Sequence, residues 1–245
     1  MIPRLFCLGG IAVGQTLTLP DKPAHHARDV LRLTAGDEVT LLNGLGGEFR
    51  ARLMTVTKKQ VTLDILEFHQ REAEAPYPVT VAQCLAGGDK MDWVVEKSVE
   101  LGAAAIVPLA ASRSVLRLNP ERAAKRLLHW RAIAQSACEQ CGRNRIPEIA
   151  AVSPIDHWLA AMRDQAGLKL MLSPVHAMRF SSLPKPEAGT PVTLLIGPEA
   201  GLSDAEESLA QAAGFQPILL GPRVMRTETA ALAALATIHA RWGDF

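Results

Sequence analysis

Two glycine-proline turns near the C-terminal end most constrain what this chain can fold into. The first, Gly-Pro-Glu-Ala-Gly at 197–201, follows the apolar run 193–196, and the second, Gly-Pro-Arg-Val-Met-Arg at 221–226, follows the apolar run 218–220. Each turn precedes a helical pattern, and α/β proteins build ligand sites where strands end and helices begin. Glycine lets a ligand approach the main chain, and proline fixes the loop. The two turns therefore predict one shared site, although each alone is also compatible with an ordinary strand-to-helix connection.

The sequence around these turns also limits the kind of ligand. The dinucleotide pattern GxGxxG and the Walker pattern GxxxxGK[ST] are both absent. Ser203 is a predicted helix cap, and the first turn after it carries Asp204, Glu206 and Glu207, which suit the helix dipole but would repel a phosphate. The predicted ligand is therefore neutral or cationic and carries an adenine or a similar flat group.

Arg226 occupies an unfavourable place for a cation. It directly precedes a helix predicted to begin near Thr227 or Glu228, and the positive end of the helix dipole disfavours a positive charge there. The placement predicts an anionic partner, which is Glu199, Glu228, a phosphate or a developing negative charge. The alternative is an ordinary surface arginine.

The strand and helix patterns predict two domains. Residues 1–70 contain several strand-like runs around one helix, predicted from Lys22 to about Leu31 with Asp21 as its N-cap, which is typical of a small β-barrel. Residues 71–78 are polar and proline-bearing and predict a linker. Over 79–245 strands and helices alternate, which predicts an α/β domain with a mostly parallel sheet.

Charge is distributed unevenly along the chain. The formal net charge is only +1, so nucleic-acid binding would need a local basic patch. Basic residues cluster between Arg113 and Arg145, partly on a helix predicted from Pro120 to Cys141 with Asn119 as its cap. That helix face is equally compatible with solvation. Arg143 and Arg145, just past the helix, are predicted to enter a nucleic-acid groove.

Other candidate sites are weaker. Cys138 and Cys141 form a lone CxxC without a second pair, which favours buried free thiols over a metal or redox site. Adjacent His25 and His26 point in different directions on a helix and make a poor metal pair. We therefore expect no metal. The chain lacks a signal-like start and a long apolar run, so we expect a cytoplasmic protein without membrane contact.

Sequence motifs spread over nearly the whole chain carry a family resemblance. They are the two C-terminal turns together with residues 4–6, 25–26, 30–32, 36–37, 88–93, 96–97, 100–102, 112–114, 139–143 and 145–147. In these motifs the chain resembles the ribosomal RNA small subunit methyltransferase E family of the SPOUT superfamily. The resemblance implies a PUA-like RNA-binding domain at 1–70 and a methyltransferase domain tied in a trefoil knot at 79–245.

The resemblance also implies an activity. The cofactor would be S-adenosylmethionine, bent between three loops of the knot, and the reaction would methylate N3 of one uridine near the 3′ end of 16S rRNA. The partners would be the assembled 30S subunit and a second copy of the chain in a homodimer. A non-catalytic ribosome-binding factor on the same fold, and a nucleotide-dependent α/β enzyme, are the alternatives.

Site residues follow from matching the family's motifs. The implied cofactor-binding residues are Leu172, Ser173, Ile196, Gly197, Glu199, Gly201, Leu219, Leu220, Gly221, Val224, Met225 and Arg226. The implied RNA-binding residues are Arg4, His26, Arg28, Arg32, Lys90, Arg113, Arg143, Arg145 and Arg223.

In the expected chemistry, Arg226 stabilises the negative charge that develops on the uracil, and Glu199 or Glu228 acts as a base or orients another group. Ala200 departs from the family's more usual glycine. Its methyl group disfavours a positive φ, so it could alter the geometry of the ligand.

Overall fold

The computed structural model describes residues 2–175, 177–243 and 245. The chain forms two compact units, Met1–Glu74 with Gln135–Ile146, and Ala75–Ala134 with Pro147–Phe245. The segment Gln135–Ile146 therefore packs with the N-terminal residues, although it lies within the range 79–245 predicted for the second domain.

The first unit is built on a five-stranded sheet. Its strands are β1 (Arg4–Phe6), β2 (Thr16–Thr18), β3 (Glu38–Leu42), β4 (Glu48–Val56) and β5 (Val61–His69). The strand order is β1-β3-β4-β5-β2, and only the β1–β3 pair is parallel. Every second residue of β5 from Val61 to Ile65 is buried, which is the period expected of a strand with one face on a core. The predicted strand-rich module is confirmed, while its closure into a barrel is not seen in the described pairings.

The helix of this unit begins differently from the prediction. Helix α1 (Asp21–His25) has Pro20, not Asp21, as its N-cap, and a π-helical segment (His26–Val30) continues it. The proline ring restricts φ, which is −57° at Pro20, and ψ is 161°. The chain is therefore extended at Pro20, and Asp21 is the first helical residue. Its carboxylate then lies in the first turn, where the helix dipole favours a negative charge.

Residues 71–74 of the predicted linker pack against the segment 142–145 within this unit. The Arg71 side chain donates to the carbonyl of Gly142 (3.0 Å), and the amide of Asn144 donates to the carbonyl of Arg71 (2.6 Å). Arg143 pairs with Glu74. This segment is therefore held by specific polar contacts and does not behave as a free connection.

The second unit is built on a parallel sheet. Its strands are β6 (Val79–Cys84), β7 (Ala103–Ala110), β8 (Glu148–Ile149), β9 (Ser153–Pro154), β10 (Leu168–Leu172), β11 (Met178–Arg179), β12 (Val192–Ile196) and β13 (Gln216–Leu219). The order is β11-β13-β10-β12-β6-β7-β8, with β9 beside β7, and every described pair is parallel. The predicted α/β class and parallel sheet are confirmed.

Helices connect these strands. They are α2 (Lys90–Glu100), α3 (Pro120–Cys141), α4 (Ile155–Met162), α5 (Asp204–Ala212) and α6 (Thr227–Trp242). Two predicted caps are confirmed by their hydrogen bonds. Asn119 accepts from the backbone N–H of Arg122 (2.9 Å), and Ser203 forms a reciprocal capping box with Glu206.

The cysteines are free, as expected for thiols outside a framework. Cys138 is buried, and desolvation raises its pKa to about 12, so the thiol stays protonated at neutral pH. Cys141 is partly exposed. None of the described helices is long and apolar enough to cross a membrane.

Candidate functional site

Three loops meet at one edge of the second unit's sheet because of the strand order. Strand β10 lies between β12 and β13, and all three run parallel. Their carboxyl ends therefore reach the same edge, where the loops after Leu172, Ile196 and Leu219 enclose a pocket of about 690 Å³. This volume is within the usual range for a small-molecule site.

The pocket brings together all the cofactor-binding residues predicted from the sequence. The residues that line it include Leu172, Ser173, Ile196, Gly197, Glu199, Gly201, Leu219, Leu220, Gly221, Val224, Met225 and Arg226. Lys90 and Arg223, which were predicted to bind RNA, also line it. Their proximity is a finding, and the role of each residue remains a prediction.

The glycines of the two turns serve different purposes. A Cβ on Gly197 would lie 3.1 Å from the backbone nitrogen of Leu202, so this glycine allows the loop to fold back on itself. Gly201 has a φ of +72°, which a side chain would disfavour. A Cβ on Gly221 would meet no atom within 4 Å, so the protein alone does not require glycine there. A ligand that lies close to the backbone is therefore the best explanation for a glycine at position 221.

Ala200 does not need a positive φ. Among the described residues other than glycine, only Arg32 has one. The left-handed residue of the loop is its neighbour Gly201, so the methyl group of Ala200 adds no backbone strain.

A buried hydroxyl connects the first turn to the helix after the second. The Thr227 hydroxyl donates to the carbonyl of Gly197 (2.6 Å) and accepts from the side-chain amide of Gln83 (2.8 Å). Thr227 and Gln83 are both buried. These two positioning residues were missed by the sequence reasoning, although a glutamine inside the apolar strand β6 is a signal that could have identified one of them.

The pocket contains a lysine-carboxylate pair. The Lys90 ammonium lies 2.9 Å from Glu199 Oε1 and 4.0 Å from Glu228 Oε2, and the Gly87 N–H also donates to Glu199 Oε1 (2.9 Å). Burial would raise the pKa of Glu199, but the hydrogen bonds from Lys90 and Gly87 outweigh it and lower the pKa. A lowered pKa makes Glu199 a weak base and suits an orienting role. Glu228 Oε2 is buried without a hydrogen bond and lies behind Lys90, outside the residues that line the pocket.

One acidic residue of α5 also lines the pocket. Glu207 lines it, and the Ser173 hydroxyl lies 3.5 Å from the Glu207 carboxylate. The Glu206 carboxylate is already hydrogen-bonded within the protein. Burial would raise its pKa, but hydrogen bonds from the backbone of Ser112 and Ser203 lower it. A carboxylate on the pocket wall favours a cationic group of the ligand over a phosphate.

Arg226 lacks an anionic partner among the residues that the structure describes. It is the exposed N-cap residue of α6, and its side chain forms no hydrogen bond to the cap. Within the described part of the chain it makes no ion pair, and the two predicted protein partners, Glu199 and Glu228, both face Lys90 instead. Of the partners predicted for Arg226, only an anionic ligand group or a charge that develops during the reaction remains.

Two of the predicted RNA-binding residues are held inside the first unit, which argues against their contact with RNA. Arg143 is only 3% exposed and pairs with Glu74, and Arg4 is largely buried beside Glu48 and Asn144. A guanidinium that is desolvated and paired with a carboxylate is not available to phosphates. The contacts of these two buried arginines stabilise the unit.

The other predicted RNA-binding residues keep at least part of their surface. Arg32 is exposed, whereas His26 and Arg28 are half-buried and Arg28 pairs with Asp29. Arg145 is 55% exposed and lies 3.4 Å from Glu72. In the second unit, Arg223 is exposed. Arg113 is also exposed but donates to the carbonyl of Leu202 (2.9 Å), so it supports the first turn as well.

Family models match both parts of the chain. A model described as an RNA methyltransferase domain matches residues 73–239, and one described as an RNA methyltransferase PUA domain matches residues 19–66. The ribosomal RNA small subunit methyltransferase E of Bacillus subtilis is 35% identical over 91% of this chain and 89% of that protein.

Solved structures agree with the sequence matches. The ribosomal RNA small subunit methyltransferase E from Neisseria gonorrhoeae, bound to S-adenosylmethionine, is 37% identical, covers both chains fully and superposes with a TM-score of 0.92. A methyltransferase from Legionella pneumophila, also bound to S-adenosylmethionine, is 38% identical over both full chains with a TM-score of 0.94. With its two matched domains and its full-length relatives, this chain belongs to the ribosomal RNA small subunit methyltransferase E family.

Proposed function

We propose that the protein transfers a methyl group from S-adenosylmethionine to N3 of one uridine near the 3′ end of 16S rRNA, in the assembled 30S subunit and in the cytoplasm. Family membership supports its being an rRNA methyltransferase that uses this cofactor. One observation carries the finer assignment: Arg226, which has no ion-pair partner among the described residues, lines a pocket whose wall also bears a carboxylate.

The residues present fit the cofactor. Its sulfonium and amino groups are cationic, and Glu207 places a carboxylate on the pocket wall. The space beside Gly221 admits a flat group against the backbone. The absence of phosphate-binding glycines agrees with a ligand that has no phosphate.

The chemistry requires loss of a proton and stabilisation of a negative charge. When bound, the cofactor would supply an electrophilic methyl group: the bond from N3 of uracil to the methyl carbon forms as the methyl–sulfur bond breaks, S-adenosylhomocysteine leaves, and N3 loses its proton before or during the transfer. Glu199 or Glu228 is the candidate acceptor of that proton, either directly or through water, and the Arg226 guanidinium stabilises the charge spread over O2, N3 and O4. Lys90 and the Thr227 hydroxyl hold Glu199 and the Gly197 loop in place.

The trefoil knot and the homodimer belong to the same proposal. Strand β13 lies between β10 and β11, although the chain forms both of those strands and then β12 before it reaches β13. Such a late insertion supports threading of the C-terminal segment. Val224, 84% exposed, and Trp93, 50% exposed, supply apolar surface that a second copy could bury.

The decisive test is methyl transfer to small subunits that lack the modification. The protein with labelled S-adenosylmethionine should place one methyl group on N3 of a single uridine, mapped by mass spectrometry of nuclease fragments. Subunits that already carry the modification serve as the control and should accept no label. Binding of the cofactor without transfer to any small-subunit RNA would contradict the proposal.

A Gly221→Ala substitution should weaken cofactor binding without destabilising the fold. The new methyl group meets no protein atom within 4 Å, so the melting temperature without ligand should stay within about 2 °C of wild type. The same methyl group would obstruct a ligand lying against the backbone, so we expect the Kd for S-adenosylmethionine, measured by titration calorimetry, to rise at least about tenfold. An unchanged Kd would mean that the cofactor does not approach the chain at Gly221.

A further inference from the structure

A second cavity lies on the other side of the loop that follows β13. Its volume is about 480 Å³, and loop residues 219–222 form one of its walls, as they also do in the first pocket. The polar side chains that line it belong to Arg179, Ser181, Thr237 and Arg241. Neither the family resemblance nor the predicted cofactor site includes these four residues.

The cavity is positively charged. Two of its lining residues are arginines, and none is acidic. Arg179 is exposed and, within the described part of the chain, has no hydrogen-bond or ion-pair partner for its side chain. Arg241 donates one guanidinium N–H to the carbonyl of Leu183 (3.1 Å), which fixes its side chain while leaving other donors available. The ligand that complements such a cavity is an anion.

The position of Arg179 connects this cavity to the proposed reaction site. Strand β11 pairs with β13 so that Arg179 lies opposite Leu219, the residue at which the shared loop begins. Arg223 and Arg226, further along the same chain segment, also lack partners among the described residues and line the first pocket. Unpaired guanidinium groups therefore lie on both sides of one short loop.

We propose that this second cavity binds a phosphodiester of the RNA next to the target nucleotide, with Arg179 and Arg241 as its ligands. This inference rests on the proposed function, because the target base must be at the first pocket for its neighbour to lie across the loop. A planar guanidinium matches the oxygens of a phosphate in two-point contacts, and Ser181 and Thr237 add hydroxyl groups to the same cavity. The apolar part of the wall, with Phe180 and Ala240, accommodates the attached sugar.

The test uses Arg179→Ala and the charge reversal Arg179→Glu in the full-length protein. Arg179 is exposed and unpaired, so neither change should lower the melting temperature appreciably. We expect Arg179→Ala to raise the KM for unmodified small subunits about tenfold and to reduce the salt dependence of binding by about one charge. Arg179→Glu should raise the KM further, with kcat and the Kd for S-adenosylmethionine within about twofold of wild type for both variants.

Arg163→Ala is the matched control, because Arg163 is another exposed arginine of the same unit outside both pockets. If the Arg179 variants match this control in KM and in salt dependence, the second cavity does not bind RNA. That result is distinguishable from failure of the proposed function, since wild-type protein would then methylate the subunits normally. Absence of methylation by wild type would overturn both proposals.

Discussion

Substitution of Arg226 with alanine should reduce kcat for methylation of small subunits by about 10²–10³-fold, the usual effect of removing one donor to a developing oxyanion. Within the described residues the guanidinium of Arg226 has no ion-pair partner; it lies at the start of α6 and lines the pocket that holds the predicted cofactor residues. If its partner is the charge that develops on the uracil ring, its loss affects the transition state much more than binding. The KM for subunits and the Kd for S-adenosylmethionine should therefore change only a few-fold.

The same variant should fold normally. A cation at the N-terminus of a helix is unfavourable, so its removal should leave the free energy of unfolding unchanged or raise it by a few tenths of a kcal/mol, about 0.3–1 at most. Arg226→Lys keeps the charge but loses the planar donor pair, and an intermediate rate is expected.

Arg223→Ala is the matched control from the same loop. Arg223 is exposed and unpaired, like Arg226, but it is predicted to contact RNA and not the reacting base. Its loss should raise the KM for subunits and leave kcat nearly unchanged. A folded Arg226→Ala protein with near-normal kcat would refute the role assigned to Arg226.

The features that could be predicted from the sequence are those that depend on near neighbours. Asn119 and Ser203 cap their helices through bonds to residues three positions away, and the turns at Gly197 and Gly221 end apolar strands that pair in a parallel sheet. Because the two turns follow strands of one parallel sheet, a site shared by both could also be expected. The third loop, at 172–174, came from the family resemblance and not from the local pattern.

The features that could not be predicted depend on partners far along the chain. Gln83 and Thr227 are separated by 144 positions, and Lys90 and Glu199 by 109. The residues next to these four positions in the sequence do not indicate which distant side chain each one contacts. Arg143 illustrates the consequence, since its motif predicts a basic surface, whereas Glu74, 69 positions away, holds the side chain inside the unit.

Arg143 and Arg145 should consequently differ in what their loss does. Arg143→Ala removes a buried guanidinium, leaves the Glu74 carboxylate without its partner, and should lower the free energy of unfolding by about 3–5 kcal/mol. Arg145→Ala removes an exposed side chain that is 3.4 Å from Glu72, which should cost less than about 1 kcal/mol. Denaturant titration of both variants measures this difference directly.

The two substitutions also separate a structural role from RNA binding. Arg145→Ala should weaken subunit binding and reduce its salt dependence by about one charge while the protein stays folded. For Arg143→Ala, any loss of binding should follow the unfolded fraction and recover at lower temperature or with stabilising osmolytes, because the guanidinium does not reach the RNA. If folded Arg143→Ala protein instead showed the reduced salt dependence, the arginine would have to leave Glu74 when RNA binds, and its burial would describe only the free protein.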